Sequence, residues 1–436
     1  MPLFAVFHGR RPPVTTIYPL ALRDWCWAMM VSGLYLGYFL LLQPLVAYNN
    51  GQGWDGADYF RLAQGDYQTP VYPLVLRIGL PWLVGQWPTG DILFNFQLIN
   101  AVLAWLHGVV TWLLLALLLR PDQAGLRLLG WLLVCAIQVA PIPGAVWYPV
   151  QNDIAAALFT QVLLLALLAG HCHGWALLLL FFFGTLCREN FAQYAVFFLL
   201  RADLAWDLAR SLPANVARLL AANWREMLRL AIPAAAGYGL ALALVSAVVS
   251  KSVTVEERFI QYLDFIRWRH LTDFTEGLIG VLSSVWLFRL AARLAGIDSA
   301  AALLPVAATH IIIVVFFIIA IGGGTNLERY LYWMLPFLVL QSLGMIEALW
   351  QQRRYGLLLF CLLYAIYMQR SFMPIHELAI DGCTPWDILV GTSAFMGHFG
   401  QVCESNGLVV VLFFCFAVLP ALAVVAFWQP RKEPAP

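Results

Sequence analysis

WAMMVSGLYLGYFLLLQPLVA (Trp27–Ala47) is an unbroken apolar run without a single charge. About 20 such residues cross the hydrocarbon core of a bilayer as a helix, because in lipid the backbone must satisfy its own hydrogen bonds. Runs of similar length recur through all 436 residues. The chain is 62% hydrophobic and 11% charged, against about 25% charged residues in an ordinary soluble domain. These features exclude a chain of soluble domains. They predict an all-α polytopic membrane protein of about 10–12 transmembrane helices. A single integral domain, 1–436, is expected, with no cleavable signal peptide and no sequence repeat.

Apolar length places crossings at 27–48, 92–119, 128–142, 152–170, 231–250, 277–295, 301–321, 330–349, 355–369 and 408–428. Two shorter apolar pieces between 174 and 200 are interrupted by CREN (Cys187–Asn190), which predicts a broken or re-entrant hairpin. With both termini cytoplasmic, 16 of the 25 basic residues fall on the inner side, as the positive-inside rule requires. Of the 24 acidic residues only eight do, so 24 − 8 = 16 carboxylates gather outside or at membrane depth. That skew points to chemistry on the outer face of a cell (inner) membrane. The polar outer segments are 49–91, 141–153, 251–277, 322–330 and 368–407. Residues 201–230 read as a basic cytoplasmic loop, with an amphipathic helix lying on the anionic leaflet.

The first of those segments carries GWDGADYFRLAQGDYQTPVYPLVLRIG (Gly53–Gly79). A short helix is expected from Gly56 to Ala63, with Asp58 and Arg61 on one face. Two readings of its acids stand side by side. Asp55 is a good N-cap and Asp58 a reciprocal capping partner, which would account for both without catalysis. Alternatively the two are site carboxylates, and the roles are compatible. PVYPLVLR is expected to restart an amphipathic helix. Arg188 and Glu189 are ionisable residues between apolar pieces, and such residues usually mark a site or pathway. The bland account is a mutual ion pair holding the hairpin. Arg329 opens a late crossing, where it could instead snorkel to the interface. Arg258, Arg267 and Arg269 suit phosphate or a solvated helix equally. Tyr59, Tyr72, Trp147 and Tyr148 could line a cleft or form an interfacial aromatic belt. Cys383 and Cys403 share the last outer loop and would pair as a disulfide in an oxidising compartment. No cysteine or histidine spacing suggests a zinc site.

Taken together these segments resemble the GT-C superfamily of integral-membrane glycosyltransferases, which use polyprenyl-phosphate-linked sugars. WDGADYFRLAQGDY resembles the first-loop acidic segment, with Asp55 at the acidic position. PVYPLVLR is similar to the proline–aromatic–proline turn that often follows. GTLCRENFA resembles the broken-helix motif, and ERYLYWMLPF an Arg-Tyr element that starts a late crossing. The order matches over most of residues 20–350. The chain departs from the pattern in having Gly56 where many bacterial members have a second acid, and in lacking a soluble C-terminal domain. The resemblance implies an inverting transfer from a polyprenyl-phosphate sugar to a hydroxyl on a glycan, lipid or protein acceptor. Asp55, then Asp58, would be the base. Arg329 first, then Arg188, Arg258, Arg267 and Arg269, would bind the donor phosphate. Tyr59, Tyr72, Trp147, Tyr148 and Glu189 would line the cleft. Some relatives hold a divalent metal at the first-loop acid, so the resemblance leaves a divalent metal open; no second carboxylate is assigned here to complete such a site, and the sequence itself supports no cofactor. The partners implied are that donor, its acceptor and the lipid bilayer, with no nucleic acid. Two other classes compete: an O-antigen ligase or polymerase, for which Arg370, His376 and His398 in the 368–407 loop are the relevant residues, and a lipid or solute transporter coupled through Arg188 and Glu189.

Overall fold

The long helix α4 (Ile92–Leu118) is apolar around nearly its whole circumference, and a helix of that kind must be buried or in lipid. In the computed structural model it is the interior element of a helical bundle. The residues described are 18–46, 49–53, 55–70, 74–136, 141–170, 172–201, 212–249, 287–288, 290–292, 304, 306–321 and 327–368. Among them every regular element is a helix. The chain divides into two units: Met1–Arg127 with Pro141–Val255 and Pro305–Ile312, and Leu128–Ala140 with Glu256–Leu304 and Ile313–Pro436.

In the first unit α1 (Leu22–Leu42) packs antiparallel on α4. Trp105 Nε1–H donates to the Met29 carbonyl at 3.2 Å, and Trp27 stacks on Trp112 with centroids 6.4 Å apart. Three short elements precede α4: α2 (Gly56–Ala63), one 3-10 turn at Leu74–Leu76, and α3 (Gly79–Gly85). PVYPLVLR therefore does not restart an amphipathic helix over its described residues; only that single turn forms, and Val71–Pro73 lie outside them. Asp91 caps α4, its carboxylate accepting from Phe94 N–H at 3.0 Å. After α5 (Ala124–Cys135) come α6 (Pro141–Trp147), α7 (Asp153–Ala169) and α8 (Gly174–Cys187). Helices α6 and α7 pack on α4, and α8 packs on α7.

The expected break at CREN is present. Helix α8 stops at Cys187, and an 11-residue 3-10 helix, Phe191–Arg201, folds back against it. Runs of 3-10 helix beyond 3–4 residues are uncommon because side chains three apart eclipse. Here the eclipsed row is the buried one: Phe191, Tyr194, Phe197 and Leu200 are all fully buried. The ring of Phe181 meets Phe191 at 5.3 Å and Phe198 at 5.9 Å. A hydrophobic period of three thus selects the tighter helix.

Residues 212–230 do not form a separate surface helix followed by a crossing at 231. They belong to one 37-residue helix, α9 (Leu212–Val248), with Pro233 inside it. Pro233 lies opposite Gly174 at the start of α8, and Gly237 allows the Leu178 backbone close to α9. In the second unit α11 (Leu327–Gln351) and α12 (Tyr355–Met368) form a hairpin, with Trp350 on Tyr355 at 4.9 Å. Helix α10 (Val306–Ile321) precedes them.

Three helices among the described residues are long and apolar enough to cross a membrane: Leu22–Leu42, Ile92–Leu118 and Asn223–Val248. The first and last turn large apolar side chains outward. On α9 these are Trp224, Leu228, Ile232, Leu240 and Leu244, all exposed and spaced by multiples of four. Such a continuous apolar stripe suits lipid rather than water. The crossing expected at 277–295 is described only at 287, 288 and 290–292, and that at 408–428 lies outside the described residues.

Candidate active site

The first loop, the start of α7 and the end of α8 meet at one end of α4. Helix α2 occupies the residues read from the sequence, Gly56–Ala63. Its first acid does not behave as a cap. Asp55 has helical dihedrals (φ −66, ψ −21) and makes no side-chain cap hydrogen bond, whereas a capping side chain normally comes from extended backbone. The reciprocal capping partnership with Asp58 is likewise not formed; Asp58 lies 3.6 Å from Arg61 as an i,i+3 ion pair. Asp55 is half-buried.

Tyr148 fixes α2 from below. Its hydroxyl accepts from Gly56 N–H at 2.6 Å. The approach demands glycine twice. Gly53 has φ +70, and a Cβ there would come within 2.3 Å of the Tyr148 ring. A Cβ at Gly56 would come within 2.8 Å of the Val150 carbonyl. Trp147 packs edge-on against Tyr148 at 6.2 Å, and its carbonyl accepts from Val46 N–H at 2.8 Å, tying in the segment after α1. Asn100 of α4 donates to the carbonyls of Pro149 and Gln151, holding the α6–α7 turn.

Four charges lie beside this turn, and they do not pair as the sequence suggested. Arg188 and Glu189 each take a hydrogen-bonded ion-pair partner from elsewhere in the chain. Glu189 takes a bidentate pair from Arg77, Nε to Oε2 at 2.6 Å and Nη2 to Oε1 at 2.9 Å. Arg188 pairs through Nη1 with Asp153 Oδ1 in the first turn of α7. Arg77 also donates through Nη1 to Tyr59 Oη at 2.8 Å, and its carbonyl accepts from Asn152 Nδ2 at 2.8 Å. The reason is local. Residues 188 and 189 sit where α8 has ended, so their side chains diverge to different neighbours instead of sharing a helix face.

Burial pushes the Tyr59 phenol well above its ordinary value; Arg77 opposes the rise, while the carboxylates of Asp153 and Asp55 add to it. Tyr59 therefore stays a neutral hydroxyl, and Arg77, Asp153 and Asp55 all act on one phenol. In the two ion pairs the arginines lie deeper than the acids. The side chains of Arg77 and Arg188 are 10% and 5% exposed, those of Glu189 and Asp153 19% and 22%. In each pair the acid is thus the more exposed partner.

Of the candidate residues, Asp55, Asp58, Tyr59, Trp147, Tyr148, Arg188 and Glu189 come together here. Tyr59, Trp147 and Tyr148 are buried beneath the loop rather than open on a cleft. Arg188 is an ion-pair partner within the cluster. Arg329 falls in the first turn of α11, its side chain outside the described residues. Tyr72, Arg258, Arg267, Arg269, Cys383 and Cys403 lie outside them too. Among the described residues no three of His, Cys, Asp and Glu are grouped to hold a metal ion. Three residues of the cluster are additions to the sequence reading: Arg77, Asn152 and Asp153. Their signal was a lone arginine ending an apolar octapeptide, and an Asn-Asp pair opening an apolar helix.

The chain matches no family model, and no curated protein or solved structure is significantly similar to it.

Proposed function

We propose that the protein is a polytopic membrane glycosyltransferase of GT-C type, transferring a sugar from a polyprenyl-phosphate donor to an acceptor hydroxyl at the outer face of the membrane. The observation that carries this reading is Asp55. It is a carboxylate released from capping, at the start of a helix pinned by Tyr148, one turn before Tyr59, which its charge reaches and which Arg77 holds. Catalytic carboxylates need a fixed position more than a strong helix, and this one has it. The break after α8 fits a re-entrant hairpin whose tip bears Arg188 and Glu189, and the outward stripes on α1 and α9 fit a lipid surround.

In this reading the Asp55 carboxylate takes the proton of the acceptor hydroxyl. The acceptor oxygen bonds to the anomeric carbon from the side opposite the phosphate. The carbon–oxygen bond to phosphate breaks, its electron pair leaves with the polyprenyl phosphate, and the configuration inverts. The developing charge on phosphate calls for cations. Arg329 takes that role first, then Arg258, Arg267 and Arg269; Arg188, more enclosed than Arg77 and paired with Asp153, supports the cluster from within. Asp58 is the reserve base, and Arg61 beside it lowers its claim.

The test is Asp55→Asn against wild type in a host deletion strain at matched membrane levels, with envelope glycans read by mass spectrometry. The reading expects a hexose- or pentose-sized unit that is lost in the deletion, restored by wild type and not by Asn. Full restoration by Asn removes Asp55 as base. A deletion that changes no glycan, together with lost solute or lipid transport in Arg188→Gln, replaces the transferase with a transporter.

A further inference from the structure

Arg77 joins three parts of the chain through one side chain and one carbonyl. Its fork grips Glu189 beyond α8, its Nη1 holds the Tyr59 hydroxyl on α2, and its carbonyl is held by Asn152 before α7. We propose that Arg77 is a positioning residue: anchored on Glu189, it fixes the orientation of α2 through Tyr59 and so aims Asp55. The inference rests on the reading of Asp55 as the base.

The geometry carries it in three steps. Helix α2 has eight residues, and isolated helices shorter than about 12–15 residues are marginal. Its orientation is therefore set by what holds it. Its end packs through the buried Leu62 and the Ala63 backbone against Gly85, and two polar holds nearer its start are Gly56 N–H on Tyr148 and the Tyr59 phenol on Arg77. Positions 56 and 59 are three apart and share a face, so together they fix both the height and the rotation of the helix. Tyr59 is also one turn from Asp55, its N–H donating to the Asp55 carbonyl at 3.3 Å. A tilt at the phenol is carried directly to the carboxylate. Arg77 itself is too enclosed to reach a substrate, at 10% exposure. Only a planar fork can hold Glu189 with two bonds and still present a third donor to Tyr59; a lysine ammonium keeps the charge without that geometry.

The experiment uses the full chain in lipid nanodiscs, with Arg77→Lys, Glu189→Gln, Tyr59→Phe and Asp55→Asn. Tyr59→Phe removes one bond and leaves the ion pair intact, so it reports even where the other two fold poorly. Amide hydrogen exchange follows α2 and α4 separately and needs no substrate. Transfer is assayed with a polyprenyl-phosphate hexose or pentose, matching the unit missing from the deletion strain. Arg77→Lys and Glu189→Gln should speed exchange in α2 by about tenfold while α4 is unchanged. The rate at saturating donor should fall by about 10²-fold, the scale of a 1 Å misplacement, with half-saturation unmoved. Tyr59→Phe should do the same to a smaller degree. Unchanged α2 exchange overturns the proposal. So does faster exchange with an unchanged rate per folded molecule. An Asp55→Asn variant as active as wild type fells the base reading instead, and is distinguishable because the α2 exchange result stands apart from it.

Discussion

Two buried charge clusters sit at opposite ends of α4, and they are built to opposite ends. At the C-terminal end, Asp24 and Arg127 pair at 2.7 Å with side chains only 6% and 4% exposed. Arg127 Nη2 also donates to the carbonyls of Ala116 and Leu119, at 3.2 and 2.6 Å, which are orphan acceptors of the helix terminus. Asp24 further accepts from Ala21 N–H at 2.9 Å, at the start of α1. Every bond there closes a helix end, and nothing is turned outward. At the N-terminal end the arginine side chains are 10% and 5% exposed and their carboxylate partners 19% and 22%, and Asp55 starts the neighbouring helix without a capping bond. On the function proposed above, the difference separates a lock from a site: the lock spends its charges on backbone termini, whereas the proposed site leaves its acids more exposed than its arginines.

Substitution at Asp55 breaks the comparison most sharply. Asp55→Asn should cost transfer about 10²–10⁴-fold, the range for loss of a general base. Thermal stability should not move, because no cap is lost; the paired measurement is glycan transfer against the unfolding midpoint of the purified protein. Asp24→Ala should do the reverse. Removing one partner of a buried pair leaves an uncompensated charge and costs roughly 3–5 kcal/mol. The expected outcome is a lower unfolding midpoint and lower membrane abundance, with activity per folded molecule retained. An Asp24 variant that folds normally but has lost transfer would erase the distinction between the two ends.

A third substitution sharpens the site itself. Tyr148→Phe leaves the Gly56 N–H buried without its acceptor, which costs about 1–3 kcal/mol. The loss should appear as faster exchange in α2 and a smaller fall in transfer than Asp55→Asn gives. Gly53→Ala attacks the same contact from the other side, since a Cβ there meets the Tyr148 ring and φ is +70. The two changes should therefore be non-additive in a double-mutant cycle read by α2 exchange.

These comparisons also mark what could be read in advance. The bounds of α2, the Asp58–Arg61 face and the break at CREN are local properties, set by residues within a turn of one another, and periodicity and breaker residues disclose them. The partners of Arg188 and Glu189 are not local. Glu189 finds Arg77 at a separation of 112 residues and Arg188 finds Asp153 at 35. Which acid meets which arginine depends on how the first loop folds onto α7 and α8, and no spacing encodes that. Capping failed as an account of Asp55 for a related reason. A good capping residue is only an opportunity, and here the hold from Tyr148 on Gly56 secures the helix start. The single helix Leu212–Val248 reads as two in the sequence because the arginines of 201–230 mark a cytoplasmic loop and the apolar run begins at 231. In place, Pro233 faces Gly174 and the helix continues through it.

The smallest expected effect lies at Asp66, on the same loop but in the open. Its carboxylate accepts from Gln68 N–H and Thr69 N–H, both at 3.0 Å. Hydrogen bonds from the Thr69 side chain and backbone, and then from Gln68, hold it below its ordinary value. The sign follows directly. A depressed value in the folded chain means the turn is favoured above the ordinary aspartate range, near pKa ~3.9, and loses that help as pH falls through the depressed value. Asp66→Asn should abolish this acid dependence in the exchange of Gln68 and Thr69 amides while leaving α2 exchange and transfer at neutral pH unchanged. Asp66 and Asp55 are acids of one loop, eleven positions apart in the sequence. If Asp66→Asn instead matched Asp55→Asn in transfer, position at the start of the pinned helix α2 would not be what distinguishes a catalytic acid here, and loop charge alone would have to carry the function.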